Sequence, residues 1–210
     1  MAEKDFLESA YDLTTTEQAR AHYEAWSATY DTEVGGRNGY AQPSRCATAL
    51  ASTVAPDGAR VLDVGCGSGL SGLALREVGF ASIDGCDLSP AMLALAEKTG
   101  VYENLFEADL NREMDPPHRA YDAVAAVGVF SFGHLNATVL RDLLEVLRPG
   151  GALVVGLNDH FWDEGSLPTE LSSIEADGTA EVVFREHGDH LPGADIEGWV
   201  IVLSKPGQAA

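Results

Sequence analysis

Val61-Leu62-Asp63-Val64-Gly65-Cys66-Gly67-Ser68-Gly69-Leu70 decides the fold of this chain. A short apolar run, 60–64, breaks into three glycines at alternate positions, and LSGLALREV (70–78) then takes up helical spacing. A strand, a glycine-rich turn and a helix are predicted in that order. Glycine permits positive φ in such a turn and lets backbone N–H groups approach a ligand at the helix start. The same residues would also serve a plain tight turn, so the segment alone leaves both readings open. Asp87 adds a second feature. It ends the next apolar run, 81–87, about 20 residues beyond Gly65, where an acid can accept hydrogen bonds from ribose hydroxyls. Together the two point to a nucleotide-like cofactor. The dinucleotide fingerprint requires glycine or alanine at its sixth position; that position is Leu70 here, which disfavours NAD.

Outward from this segment, strands and helices alternate. Ser89-Pro90 is an N-cap with proline at the first helical position, opening the helix AMLALAEK. Strands follow at 104–108 and 122–127. Asn136 is placed to cap the helix ATVLRDLLEVL, which Pro149-Gly150-Gly151 stops, and 152–158 is a fifth strand. This alternation predicts βαβ crossovers and a parallel sheet covered on both faces. After a short helix near 168–176, the strands 180–187 and 197–205 are joined by too few residues for a crossover helix, so they form an antiparallel pair at one edge. Ahead of the core, Thr14-x-x-Glu17 reads as a capping box, and Ala19, Tyr23, Trp26 and Tyr30 make a stripe on one helix face. That stripe is either core packing or a cover over a site. GGRNGYAQP (35–43) reads as a mobile loop before a helix over 43–54. The whole is expected to be one domain, 1–210, with a helical cover (1–55) and a Rossmann-like α/β core (60–205).

Charge excludes more than it identifies. Thirteen Lys and Arg stand against 33 Asp and Glu, and the net charge of -20 makes nucleic acid and anionic membrane unfavourable partners. Cys46, Cys66 and Cys86 have no metal-ligand spacing and are expected reduced. The first residues lack the basic and apolar regions of a leader, and no apolar stretch approaches the ~20 residues of a membrane span, so a soluble, cytoplasmic protein is expected. The sequence does not choose an oligomeric state.

The segment V-L-D-V-G-C-G-S-G, Asp87 and the later LRPGG turn resemble the class I S-adenosylmethionine-dependent methyltransferases, and the likeness extends over residues 60 to 205. It implies a seven-stranded, mostly parallel sheet of order 3-2-1-4-5-7-6 with a C-terminal antiparallel strand pair. It also implies that Gly65, Cys66, Gly67 and Gly69 cradle the methionine end of S-adenosylmethionine, with Asp87 on the ribose. Leu88, Asp109 and Leu110 would hold the adenine, and Gly128 would lie beneath the methyl group. HYEAWSATYD (22–31) is similar to the YxxWAxxYD opening of a subgroup that includes the Williams-Beuren-syndrome-region methyltransferase, with Ser27 in place of alanine. That likeness makes Trp26, Tyr30 and the following Tyr40 a cover over the cofactor. The acceptor would lie among Phe130, Asn158 and Trp162.

Methyl transfer needs nucleophile, methyl and sulfur held in line in a dry site, and no covalent residue. The implied activity is therefore transfer of the methyl group to a small-molecule acceptor, leaving S-adenosylhomocysteine. His134, His160 and Asp31 are candidates to take a proton from that acceptor. No metal site is expected, because Asp159, His160, Asp163 and Glu164 all come from one segment. The competing reading is a sensor or regulatory subunit that binds the cofactor and methylates nothing.

Overall fold

The computed structural model describes residues 15–112, 120–130 and 135–207, together with Phe6, Ser9, Leu13 and Pro116, and of Arg37 the backbone alone. Seven strands, β1 (Arg60–Val64), β2 (Ser82–Asp87), β3 (Asn104–Glu107), β4 (Tyr121–Val127), β5 (Leu147–Asn158), β6 (Glu181–Leu191) and β7 (Ile196–Ser204), form one sheet of order 3-2-1-4-5-7-6. Strands β1 to β5 pair in parallel, and β7 runs antiparallel to both β5 and β6. Pro192–Ala194 makes the short turn between β6 and β7, with Asp195 left-handed at φ 56°.

The helices are α1 (Thr16–Trp26), α2 (Gln42–Thr53), α3 (Leu70–Glu77), α4 (Pro90–Thr99), α5 (Val139–Glu145), α6 (Asp159–Glu164) and α7 (Ser166–Asp177). Alternation along the strands feeds two cores. Leu62, Val64, Val124, Ala126 and Val155 bury one face under α5 and α7, whereas Val61, Ala123, Ala125 and Val154 bury the other under α2 and α3. A smaller cluster joins Trp26, Val34 and Leu191 beside the sheet. All three cysteines are buried free thiols. Among the described residues, no helix is long and apolar enough to cross a membrane.

Four local expectations need correction. The N-cap of α1 is Thr15, whose side chain accepts from Gln18 N at 3.2 Å; Thr14 lies outside the described residues. Residues 31–37, of which 35–37 are expected as loop, form a wide helical stretch (Asp31–Arg37). Val34 sits in the cluster with Trp26 and Leu191, and Trp26 Nε1 donates to Glu33 at 2.9 Å, so tertiary contacts order a segment whose glycines offer no helix propensity. Strand β5 starts at Leu147, before Pro149, because the Pro-Gly-Gly segment bends within the strand; Gly150 takes φ 81°, and a Cβ on Gly151 would lie 2.9 Å from the Asp122 carbonyl oxygen. The N-cap position of α5 falls at Thr138, and Asn136 supports it from outside by accepting from Thr138 N at 3.0 Å.

Candidate cofactor cleft

The glycine turn after β1 is held by hydrogen bonds from its neighbour strand. Cys66 N donates to the Cys86 carbonyl at 2.9 Å, and Gly67 N donates to Asp87 Oδ2 at 2.9 Å. Asp87 Oδ1 accepts from Ser89 N at 2.8 Å, so one carboxylate ties the first turn to the start of α4. Gly65 has φ 61°, and a Cβ there would lie 1.9 Å from Val129 Cγ1; only glycine lets this turn pass under the loop after β4. Asp63, wholly buried behind the turn, accepts from Ser71 Oγ at 2.7 Å and from Tyr102 Oη at 2.8 Å through the same oxygen.

At the carboxyl ends of β1, β2 and β4 these elements enclose a cleft of about 750 Å³, partly open to solvent. Its floor and walls are Gly65, Gly67, Asp87, Leu88, Met92, Ala108, Asp109, Leu110, Val127, Gly128 and Val129. Thr16, Ala19 and Tyr23 of α1, with Tyr30, cover it. An ion pair between Arg20 and Glu107 fastens α1 to the end of β3, and Asn111 Nδ2 reaches Thr16 Oγ1 at 3.5 Å. The cover thus rests on the wall formed after β2 and β3.

Burial sets the protonation states around this cleft. Desolvation pushes the Asp63 carboxyl up to about 7, against the lowering pull of its Ser71 and Tyr102 hydrogen bonds. Burial also raises Asp87, opposed by the backbone N–H groups of Ser89, Gly67 and Leu88. Tyr30 is raised by burial and then by the charges of Asp87 and Asp31, so its hydroxyl stays protonated. His190, 6% exposed, is driven down to about 4 by burial and by Arg45, and is neutral near pH 7.

The sequence-derived residues divide into two groups. Tyr30, Gly65, Gly67, Asp87, Leu88, Asp109, Leu110 and Gly128 line the cleft. Tyr40 stands behind it: a Cβ on Gly128 would lie 2.2 Å from Tyr40 Oη. Cys66 is buried and contributes backbone, and Gly69 is the left-handed cap of α3, facing Thr99 and Tyr102 of the next layer. Trp26 does not line the cleft; it is 2% exposed and packs edge-on against Tyr30 with centroids 4.8 Å apart.

The three acceptor residues also lie elsewhere. Phe130, 1% exposed, turns into the core against Phe161. Asn158 caps α6 by accepting from Phe161 N at 3.0 Å, and Trp162 stacks on Trp199. Asp31 and His160 are exposed and do not line the cleft, whereas His134 lies outside the described residues. Sequence reasoning missed Thr16, Met92, Ala108, Asn111 and Leu135. Of these Met92 alone carried a signal, standing one helical turn beyond Leu88, in the first turn of the helix that Ser89 caps.

Residues 61–151 match the protein family described as a methyltransferase domain. Human methyltransferase-like protein 27 is 33% identical over 148 residues, which cover 69% of this chain and 60% of the relative. A ubiquinone biosynthesis O-methyltransferase of Xylella fastidiosa (strain 9a5c) is 33% identical over 50% of this chain and 44% of its own. A probable 18S rRNA (guanine-N(7))-methyltransferase of Dictyostelium discoideum is 28% identical over 60% of this chain and 46% of its own. The chain therefore spans 60% of the human relative and less than half of the other two. Among solved structures, a TehB-like SAM-dependent methyltransferase from Corynebacterium glutamicum matches with TM-score 0.64 at 21% identity, over 88% of this chain and 98% of that one. The fold is that of the class I S-adenosylmethionine-dependent methyltransferases, and residues 61–151 carry the match to the methyltransferase domain family. S-adenosylmethionine is the methyl donor that domain and fold imply, with S-adenosylhomocysteine as its product.

Proposed function

We propose that the chain transfers a methyl group from S-adenosylmethionine to a small-molecule acceptor. The observation that carries this reading is Asp87 at the wall of the cleft. A carboxylate has about four lone-pair sites; Gly67 N, Ser89 N and Leu88 N draw on them from the backbone, and the capacity that remains faces the cleft for the hydroxyls of a ribose. The cleft fits the rest of the cofactor. Gly65 and Gly67 offer close backbone approach for the methionine end, Leu88, Asp109 and Leu110 an apolar slot with an acceptor for the adenine, and Gly128 clearance near the sulfur.

When bound, the cofactor supplies an electrophilic methyl group on a positively charged sulfonium. The chain's own share is to orient and to exclude water. Asp87 adds negative charge to the wall, favouring a cationic ligand, and Tyr30 offers a hydroxyl held protonated that can donate to it. Val127, Val129 and Leu135, with the ring of Tyr23, add apolar surface to the cleft, and a dry site favours in-line transfer. Tyr40, pressed against Gly128, supports the wall from behind. The Arg20–Glu107 ion pair ties α1 to the end of β3.

A small acceptor is favoured by the cover that α1 and Tyr30 lay over the cleft and by the net charge of -20, which repels a polyanion. The relative named for ubiquinone biosynthesis points the same way. Calorimetric titration with S-adenosylhomocysteine, S-adenosylmethionine and NAD tests the cofactor: one-to-one binding of the two adenosyl ligands and silence from NAD are expected. Heat from NAD alone would overturn the reading. Incubation with labelled S-adenosylmethionine then separates acceptors, with label expected in phenols and quinols; label appearing in 18S rRNA alone would replace the small acceptor with the one named for the Dictyostelium relative.

A further inference from the structure

At the far side of the sheet three strands meet in one row. Asn158 of β5 pairs with Gly198 of β7, and Gly198 pairs with Gly188 of β6. Side chains one step from that row share a face: Asp159, where β5 passes into α6; Glu197, before Gly198; and His187, opposite Trp199. Gly198 lets β7 close on the end of β5, since a Cβ there would lie 2.3 Å from the Leu157 carbonyl oxygen and 3.0 Å from Asn158 Cα. One donor atom from each of Asp159, His187 and Glu197 consequently lies within 4.8 Å of the others.

The geometry of this trio suits a cation. His187 Nε2 is 2.9 Å from each Asp159 oxygen. Donors at that separation span an edge of a coordination shell whose bonds are about 2.1 Å long. The imidazole is oriented by its contact with Trp199, centroids 4.8 Å apart, and Trp199 is itself stacked on Trp162 at 4.6 Å. Among the described residues Glu197 forms no ion pair, so its charge has no cationic side chain bound to it. One imidazole nitrogen with two carboxylates is a donor set for borderline first-row ions; Mg²⁺ and Ca²⁺ prefer oxygen alone.

We propose that Asp159, His187 and Glu197 bind a divalent first-row transition-metal ion, which pins α6 to the β6–β7 hairpin at the carboxyl end of β5. The set was not readable from spacing. Asp159 had for neighbours only His160, Asp163 and Glu164 of its own segment, whereas the fold supplies its partners from two other strands. The site is separate from the cofactor cleft, and its test does not depend on methyl transfer.

The chain, free of any affinity tag, is titrated calorimetrically with Zn²⁺ and with Mg²⁺, and with Co²⁺ while its visible absorption is followed. One equivalent of Zn²⁺ or Co²⁺ is expected to bind, with Co²⁺ bands of nitrogen and oxygen ligation, since all three thiols are buried. His187→Gln and Glu197→Gln should each weaken binding at least about tenfold. Asp163→Asn, on α6 but outside the trio, should leave it unchanged. Retained S-adenosylhomocysteine binding shows that each variant is folded; if His187→Gln is not, Glu197→Gln carries the test. Equal affinities for Mg²⁺ and Zn²⁺, or unchanged affinity in both folded trio variants, would overturn the proposal and leave a solvated Asp159–His187 ion pair beside an unrelated glutamate.

Discussion

Replacing Asp87 with alanine separates its two duties, bracing the turn and holding a ribose. The carboxylate accepts from Gly67 N at 2.9 Å and Ser89 N at 2.8 Å, and the substitution leaves both N–H groups without that partner. Hydrogen bonds to a charged group contribute about 1.5–3 kcal/mol each. Against that loss stands the cost of keeping a carboxylate buried, visible in its raised pKa, so the net destabilisation is about 1–3 kcal/mol, within what a domain of this size tolerates. Binding should suffer separately. Two ribose hydroxyls lose a shared acceptor, and a loss of about 1.5–3 kcal/mol corresponds to roughly 10- to 150-fold in Kd. The assay is calorimetric titration with S-adenosylhomocysteine at 25 °C, beside thermal unfolding of the same samples. A folded Asp87→Ala protein that binds as tightly as the parent would refute the ribose assignment.

Gly65→Ala forces a Cβ to within 1.9 Å of Val129 Cγ1 at φ 61°; a loss of about 2–4 kcal/mol in urea unfolding and weakened cofactor binding are expected, and parental values in both would show that the loop after β4 can move aside. Trp26→Ala removes the centre of the small aromatic cluster rather than a cleft wall, so S-adenosylhomocysteine should dissociate faster, through loss of support for Tyr23 and Tyr30, while the core melts nearly as before. An unchanged off-rate by stopped flow would show that α1 holds its position without Trp26. His190 has a folded pKa near 4, below its unfolded value of about 6.5. The unfolded chain therefore binds more protons between those values, and the stability His190 contributes above pH 6.5 is lost as pH falls toward 4. His190→Gln should flatten that slope by up to about 3 kcal/mol in urea melts across the window; identical slopes would place the imidazole in contact with water.

What the sequence disclosed was what local chemistry controls. The limits of β1 at 60–64 and the Ser89 cap with Pro90 behind it follow from apolar runs and turn residues and match residue for residue; the terminal antiparallel pair is also present, with β6 running on from the expected 187 to Leu191. The stripe of α1 was harder. Spacings of three and four put Tyr23, Trp26 and Tyr30 on one face, but periodicity cannot say which member turns inward and which overlooks a cleft. Phe130, Asn158 and Trp162 lie off the cleft for a related reason: position at the carboxyl edge follows from topology, whereas side-chain direction follows from contacts distant in sequence.

Tyr102 shows how far such contacts reach into the binding motif itself. Its hydroxyl donates to Asp63, 39 residues earlier, and its ring fills space left by two glycines outside the first turn. A Cβ on Gly72 would lie 2.3 Å from the Tyr102 hydroxyl oxygen, and one on Gly85 would lie 2.8 Å from the ring. Those glycines have no positive φ to explain them. They are small because a tyrosine from the loop before β3 must pass between α3 and β2 to reach the acid of the glycine-rich segment. One oxygen of the buried Asp63 carboxyl thereby receives two hydroxyl donors, Tyr102 and Ser71, which tie the start of the turn to α3 and to the loop before β3. Preorganisation of the cleft thus rests on residues that the spacing of the motif does not contain.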